Sequence, residues 1–279
     1  MKNLKKLAIS LLLLVLVLFL AGACQRLGSL KTSTPPASSG AALDLSRALY
    51  QKGSSLGTFA ARGSINLTQG RTIRYFKFEF LAKRPSNFIL TVLDPMGRPA
   101  LKIISNRDLV SFLDYRAAVK TVGSSSSLKL EGVLAFDFTP SDFISFMSNS
   151  LIPNPEAASV NDAAEPRLLT LLSVQPQWAE VNFLVRLEPG ADGARIKGYQ
   201  FKSEDRDKNG LEINYDRFLP LKREDGANVL QDFPHNLTIK SSDGANSLVV
   251  RYDEARLGLT LGDEFFLAPT PAGFKEERI

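Results

Sequence analysis

From Leu56 onward, apolar residues recur at every second position in one segment after another. The clearest case lies in residues 73–81, where Phe76, Phe78 and Phe80 fall on one face of the segment. A period of two predicts β-strands, because successive side chains of a strand point to opposite faces of the sheet. A chain with this pattern over most of its length must build its core on the apolar face of a sheet.

Turn-forming residues separate these segments and predict antiparallel hairpins. They are Gln69-Gly70, Asp192-Gly193, Asn209-Gly210 and Asp243-Gly244. About eleven to thirteen strands and two helices predict a mainly β (α+β) fold, a curled antiparallel sheet whose apolar hollow the helices close. Such a sheet can hold an apolar ligand. The predicted strands lie in residues 59–67, 73–81, both arms of 86–105, 109–113, 117–122, 168–174, 181–187, 196–201, 211–215, 236–240, 248–252 and 265–267.

Two short helices are predicted outside the sheet. Leu45 and Leu49 lie four residues apart ahead of Gly53, which is typical of an amphipathic helix that ends at a glycine. Residues 139–142 (TPSD) start the second helix, because Thr is a good N-cap, Pro suits the first turn and the acidic residue stands three positions after the cap. We expect its wide apolar face to lie on the sheet. Residues 154–165, which follow, have the composition of a polar surface insertion.

A tight turn is predicted in the middle of residues 86–105, at Asp94-Pro95-Met96-Gly97. Pro fixes φ at the second position of the turn, while Asp and Gly favour the first and fourth. Met96 then lies at the tip, where water normally favours a polar residue. Either Met96 folds back onto the core as a flexible plug, or it is exposed to meet an apolar partner.

The N-terminus has the layout of an export signal, with three lysines, an apolar run over residues 7–20 and the small residues Ala21-Gly22-Ala23. Cys24, the only cysteine of the chain, follows directly. Residues 20–24 (LAGAC) resemble the lipobox of bacterial lipoproteins, in which the Cys thiol receives diacylglycerol and becomes the new N-terminus. We therefore expect residues 1–23 to be a signal peptide, and residues 24–42 to be a lipidated Cys followed by a flexible linker.

Composition limits the other classes of partner. Removal of residues 1–23 takes three of the 34 Lys and Arg residues and leaves 31 against 29 acidic residues, a formal charge of +2. This balance does not indicate a nucleic-acid partner. With one Cys and one His, the chain can form neither an internal disulfide nor a zinc or redox-metal cluster, and no cofactor is expected.

Three stretches, residues 61–65 (ARGSI), 94–97 (DPMG) and 139–143 (TPSDF), resemble the family of LolB, the outer-membrane receptor that accepts lipoproteins from the periplasmic carrier LolA. The family shows an Arg-Gly pair, an Asn/Ser-Pro-Leu-Gly turn and a Pro-containing helix start in this order. The resemblance implies an incomplete antiparallel half-barrel with a helical lid and an acyl cavity, here as one domain over residues 43–279. The insertion and a tail over residues 253–279 depart from the family.

The resemblance also implies the site. In the family the residue after Pro in this turn protrudes and is needed to insert the received lipoprotein into the membrane, which assigns that role to the turn Pro95, Met96 and Gly97. Arg62 is either a solvated strand residue or a contact at the cavity mouth or with the carrier. Apolar residues of the sheet and second helix are expected in the core and, where a cavity exists, on the acyl chains as well: Phe76, Phe78, Phe80, Phe88, Leu90, Phe143 and Phe146.

The leading hypothesis is a monomeric, non-enzymatic receptor, anchored to the outer membrane through Cys24 and facing the periplasm. It would take the acyl chains of lipoproteins from a LolA-like carrier and pass them to the membrane. A second hypothesis keeps the fold but has another lipid or an envelope assembly as partner. A third is an acyl hydrolase, because Gly53-Ser54-Ser55-Leu56-Gly57 fits G-x-S-x-G and His235 could be a base. That motif needs a strand before it and a helix after it, and here the predicted order is reversed.

Overall fold

The structure, a computed structural model, describes residues 40–107, 109–124, 134–136, 138–150, 158–160, 168–172, 181–190, 193–203, 210–221, 223–224 and 230–279. All of them belong to one compact unit. The predicted signal peptide, Cys24 and nearly all of the linker lie outside the described residues. Among the described residues, no helix has both the length and the apolar character needed to cross a bilayer.

One sheet of fourteen strands contains the alternating segments, in the order β14-β6-β5-β4-β3-β2-β1-β13-β12-β11-β10-β9-β8-β7. All neighbouring strands pair in antiparallel fashion except β14, which lies parallel to β6. The prediction of a mainly β fold built on one curled antiparallel sheet is confirmed. The strands are β1 Thr58–Gln69, β2 Thr72–Lys83, β3 Asn87–Leu93, β4 Pro99–Asn106, β5 Leu109–Asp114, β6 Val119–Ser124, β7 Ala158–Val160, β8 Leu168–Leu172, β9 Val181–Gly190, β10 Gly193–Ser203, β11 Leu211–Leu221, β12 Leu230–Ser241, β13 Asn246–Leu257 and β14 Lys275–Arg278.

The first hairpin, β1–β2, turns at Gly70 and Arg71 and carries β13 on its other side. The register between β1 and β13 shifts at Arg62 and Gly63, where β13 has one extra residue, Asp253, and β1 keeps its alternation without a break. Gly63 is required at this bulge, because a β-carbon there would collide with the carbonyl oxygen of Arg251 on β13. The Arg-Gly pair therefore has a structural reason in the sheet itself.

In the part of the chain that the structure describes, two helices of two or more turns accompany the sheet, α1 Gly40–Ser54 and α2 Pro140–Met147. Helix α2 begins as predicted, with Thr139 as N-cap and a capping box completed by Asp142. Its last turn is held by hydroxyl groups of the sheet, since Tyr215 donates to the carbonyl oxygen of Phe146 at 2.9 Å and Tyr252 donates to that of Met147 at 2.8 Å. We call the face of the sheet that carries α2 the inner face, and the opposite face the outer face.

Aromatic side chains fill the space between α2 and the inner face. Phe143 packs on Phe80 and Phe88 with ring centroids 5.4 and 5.5 Å apart, and Phe146 packs on Phe138 and Phe201 at 5.0 and 6.1 Å. All six rings are buried. Most of the surface of the helix is buried, and the helix is therefore part of the hydrophobic core.

The C-terminal segment, residues 258–279, crosses the outer face of β3 and β4 and then pairs with β6. Phe266 is fully buried under this crossing, in the short 3₁₀-helix Asp263–Phe266. The prediction of a strand at residues 265–267 is wrong. No strand among the described residues pairs with that backbone, which instead bonds to itself, with the Phe265 and Leu267 amides donating to the carbonyl oxygens of Gly262 and Glu264.

The polar end of the chain forms the strand instead, as β14. Lys120 on β6 holds β14 and the residues before it. Its Nζ donates to the carbonyl oxygen of Ala268 at 2.7 Å, the hydroxyl of Thr270 at 3.0 Å and the carboxylate of Glu276 at 3.1 Å. This amine lies on the outer face, and the segment covers it so well that Lys120 is buried. Residues 275–278 are not among the predicted strands, and the anchored neighbour is what makes their pairing favourable.

Candidate functional site

A cavity of about 480 Å³ opens on the inner face at the end of the sheet that carries the β1–β2, β3–β4 and β5–β6 turns. Its floor is apolar and consists of Leu67, Phe76, Val92 and Leu101, one from each of β1 to β4. These residues lie on adjacent strands, with Val92 directly opposite Leu101. The volume falls within the roughly 300–1,000 Å³ of small-molecule sites. An apolar hollow of this kind suits a hydrocarbon chain.

The β3–β4 turn stands at the mouth of this cavity and exposes Met96. Pro95 lines the cavity, while Met96, the next residue, is 81% exposed. Gly97 has a φ of 79°, a left-handed conformation that glycine adopts without steric cost. The structure therefore supports exposure of Met96 over its alternative as a plug folded onto the core.

Asp94 holds the turn in one shape. One carboxylate oxygen accepts the backbone N–H groups of Met96 and Arg98, both at 2.9 Å, and the other accepts the guanidinium of Arg98 at 2.9 and 2.8 Å. These hydrogen bonds, the one from the Arg98 amide above all, lower the pKa of Asp94 below its usual value. Asp94 is therefore ionised at neutral pH and compensated within its own turn.

Two arginines flank the cavity without such compensation. Arg74 on β2 and Arg116 in the β5–β6 turn both line it, and both are exposed. Among the residues that the structure describes, neither guanidinium makes an ion pair or a hydrogen bond. The nearby Asp114 accepts the backbone N–H groups of Arg116 and Ala117 at 2.8 and 3.0 Å, which uses one of its oxygens to form the turn.

Most of the residues predicted for an acyl cavity lie elsewhere on the inner face. Only Phe76 borders the open cavity. The others are packed against α2 and its neighbours and are almost inaccessible to solvent, which is the core alternative of the prediction: Phe78, Phe80, Phe88, Leu90, Phe143 and Phe146. The helix packs on the middle of the inner face, and the cavity of about 480 Å³ lies at one end of it.

Arg62 lies on the outer face, opposite to the cavity. Its guanidinium pairs with the carboxylate of Glu254 at 2.5 Å, and Glu79 is its partner on β2. Both side chains of the ion pair are largely in water, with Arg62 62% and Glu254 45% exposed. The structure does not bring Arg62 to the cavity floor or to the turn of Met96. A contact with a carrier stays a prediction.

The prediction missed both arginines at the cavity, although the sequence pattern contained a signal for one of them. Arg74 stands two positions before Phe76, so a period of two places it on the same face of β2. Arg116 lies in the turn next to that of Met96, and no pattern in the sequence alone brings these two turns together. Only the pairing of β4 with both β3 and β5 does so.

The residues of the hydrolase hypothesis take part in local hydrogen bonds. The hydroxyl of Ser55 donates to the carbonyl oxygen of Lys52 at 2.8 Å, just after α1 and before β1. His235 lies on β12, with Nδ1 3.4 Å from the carbonyl oxygen of Tyr252. Ser55 therefore follows a helix and precedes a strand, the reverse of a nucleophile elbow. Among the described residues, no group of three or more His, Cys, Asp or Glu side chains converges as metal ligands would.

The fold and the cavity together define a class of protein: a curled, mostly antiparallel open sheet with a helix on its inner face and an apolar hollow at one end. Three solved structures share this fold. They are a LolA superfamily protein from Nitrosomonas europaea (TM-score 0.52, 13% identity, 80% of this chain and 97% of that chain covered), an outer-membrane lipoprotein-sorting protein domain from Vibrio parahaemolyticus (0.53, 12%, 80% and 97%), and a DUF1329 family protein from Desulfovibrio piger (0.50, 10%, 81% and 96%).

The likeness at these identities concerns the fold alone. No protein-family model matches the sequence, and no curated protein matches it either. The similar chains are covered almost completely, so this chain contains the whole of their fold.

Proposed function

We propose that the protein is an outer-membrane lipoprotein receptor, which accepts acylated lipoproteins from a LolA-like periplasmic carrier and inserts them into the membrane. The observation that carries this proposal is the turn of Met96 at the mouth of the cavity. Pro95 borders the apolar hollow and the next side chain projects into water, so a chain leaving the hollow passes directly beside Met96.

Three further observations support the proposal. The fold is that of a LolA superfamily protein and of a domain described as an outer-membrane lipoprotein-sorting protein. Residues 20–24 resemble a lipobox, which would tether the protein through Cys24, with residues 25–42 as a flexible linker between the anchor and the domain. Gln25 after the Cys, in place of the Asp that favours inner-membrane retention in enterobacteria, agrees with an outer-membrane, periplasm-facing location.

Transfer in this proposal needs no nucleotide and no catalysis. Each methylene buried in the cavity contributes roughly 0.8 kcal/mol, and a bilayer buries the whole acyl chain, so the free energy falls as the chain moves to the membrane. Met96 would enter the membrane surface and provide an apolar path between the two environments. An acidic residue at this position would interrupt the path.

The first test is depletion of the protein, followed by fractionation of other lipoproteins. We expect outer-membrane lipoproteins to accumulate in the periplasm bound to a carrier. A Met96→Glu variant should fail to restore their insertion while still folding, because the side chain makes no packing contact that the fold needs. Leu267→Glu is the matched control, since Leu267 is also an exposed apolar residue, 58% accessible, but lies on the C-terminal segment.

Normal lipoprotein distribution after depletion would contradict the receptor function. The second candidate, a lipoprotein of the same fold that binds another lipid or supports an envelope assembly, would then take its place. The two uncompensated arginines at the cavity favour this candidate over a hydrolase. A hydrolase would require esterase activity that Ser55→Ala abolishes.

A further inference from the structure

The charges around the cavity are not balanced. Four charged residues line it: Arg74, Asp94, Asp114 and Arg116. Asp94 is neutralised by Arg98, which holds it through two hydrogen bonds from the guanidinium. The remaining charges at the cavity are two positive ones, on Arg74 and Arg116, and one negative one, on Asp114. No ion pair joins Asp114 to either arginine.

The arginines are placed to act on the same ligand. Three inter-strand spacings, roughly 14 Å in a flat sheet, separate β2 from β5. Arg116 lies just after β5, and both side chains line the same cavity. Two extended arginine side chains that approach from opposite sides can therefore reach a headgroup between them.

We infer that the cavity binds a lipid whose headgroup carries a phosphate, with an acyl chain on the floor of Leu67, Phe76, Val92 and Leu101 and the phosphate between Arg74 and Arg116. This inference rests on the proposed use of the cavity for acyl chains and names a class of ligand for it. It commits to a lipid and not to a free anion, because the floor next to the arginines is apolar.

Phosphate fits this mouth better than an uncharged headgroup does. The guanidinium of arginine is planar and presents pairs of donors that match phosphate oxygens, and such charge-assisted hydrogen bonds are about twice as strong as neutral ones. A diacylglyceryl thioether, as on a lipoprotein, has no anion to offer at this point. In the proposed receptor, the phosphate-bearing lipid would occupy the cavity between deliveries and leave when cargo arrives.

The test measures binding of two soluble lipids with equal acyl chains, dioctanoylphosphatidylglycerol and dioctanoylglycerol, to the full-length protein in a non-ionic detergent by native mass spectrometry. We expect the phosphate-bearing lipid to bind on the order of tenfold more tightly. The double variant Arg74→Gln/Arg116→Gln should lose this preference and bind dioctanoylglycerol as the parent protein does. Both side chains are exposed, so the variant should fold, and its melting temperature verifies this.

Arg217→Gln/Arg251→Gln is the matched control, since it removes the same charge from exposed arginines outside the cavity. It should keep the preference. Equal binding of the two lipids by the parent protein, or an undiminished preference in the Arg74/Arg116 variant, would overturn the inference. The inference would also be overturned if millimolar inorganic phosphate displaced the bound lipid as effectively as free dioctanoylphosphatidylglycerol does, because the ligand would then be a free anion.

The same variants separate this inference from the proposed function. Selective binding of phosphatidylglycerol together with normal lipoprotein distribution after depletion would leave the inference intact and remove the receptor function. Absence of that selectivity together with periplasmic accumulation of lipoproteins would support the receptor function and overturn the inference.

Discussion

Asp94 determines how Met96 is presented. Its carboxylate accepts four hydrogen bonds within five residues of chain, two from the backbone amides of Met96 and Arg98 and two from the guanidinium of Arg98. An exposed apolar side chain at the end of a hairpin would otherwise sample many positions, including contact with the cavity floor. A turn held in one conformation keeps Met96 in water, at the place where the cavity opens.

Replacement of Asp94 by Ala should release this turn. We expect the amides of Met96 and Arg98 to exchange hydrogen with solvent faster, because the acceptor that protects both is lost. Hydrogen exchange resolved at single residues measures this. Asp114→Ala is the control: it should speed exchange at Arg116 and Ala117 and leave the Met96 turn as it was. Unchanged exchange at Met96 in Asp94→Ala would show that another contact holds the turn.

Helix α2 is held to the sheet at its C-terminal end by Tyr215 and Tyr252. The last carbonyl groups of a helix lack partners within the helix, and here two buried hydroxyls supply them. Burial raises the pKa of both tyrosines above its usual value, so both remain protonated donors. The N-terminal end is held by the capping box of Thr139 and Asp142.

Loss of either hydroxyl should weaken this attachment. We expect Tyr252→Phe to lower the free energy of unfolding by about 1–3 kcal/mol, because the buried carbonyl of Met147 loses the hydroxyl that donates to it while the ring still packs. Tyr215→Phe should lower it less, because the carbonyl of Phe146 still accepts the backbone N–H of Asn149 at 3.2 Å. Urea denaturation measures the change. Tyr50→Phe, at an exposed position of α1, should change it little. Equal stability of all three variants would mean that water replaces the lost hydroxyls.

The C-terminal segment joins distant parts of the molecule, from the outer face of β3 and β4 to β6, with which it pairs. Thr270, Lys120 and Arg278, in that order of effect, hydrogen-bond the carboxylate of Glu276 and lower its pKa to about 2 from the usual 4.5. A carboxylate with a lowered pKa stabilises the folded state above pH 4.5, and this contribution is lost as the pH falls toward 2.

Replacement of Glu276 by Gln should therefore matter only at higher pH. We expect the variant to melt below the parent protein at pH 6 and the difference to shrink as the pH falls through the range between 4.5 and 2. Calorimetry of both proteins over this range provides the comparison. A difference that persists at the acid end would show that the charge of Glu276 does not hold the segment.

The periodicity of the sequence predicted the sheet, its hairpins and the start of α2, because these depend on local alternation and capping residues. It also placed Met96 at the tip of a turn, but left open whether the side chain is exposed or folds back onto the core. It did not predict which of the inward phenylalanines border free space, since that depends on where α2 rests across the strands. The C-terminal strand was missed for a related reason: residues 275–278 are all charged, and only the distant Lys120 makes their pairing favourable.

The pairing of β1 with β13 has a consequence for synthesis. Gln69 lies opposite Asn246, so one edge of the first hairpin has no partner until nearly the whole chain exists. The edge of β6 waits longer still, for residues 275–278. Unpaired edges invite association with other strands. A chain made from its N-terminus thus passes through a stage in which six strands expose two open edges, the stage at which a holding chaperone would have most to protect.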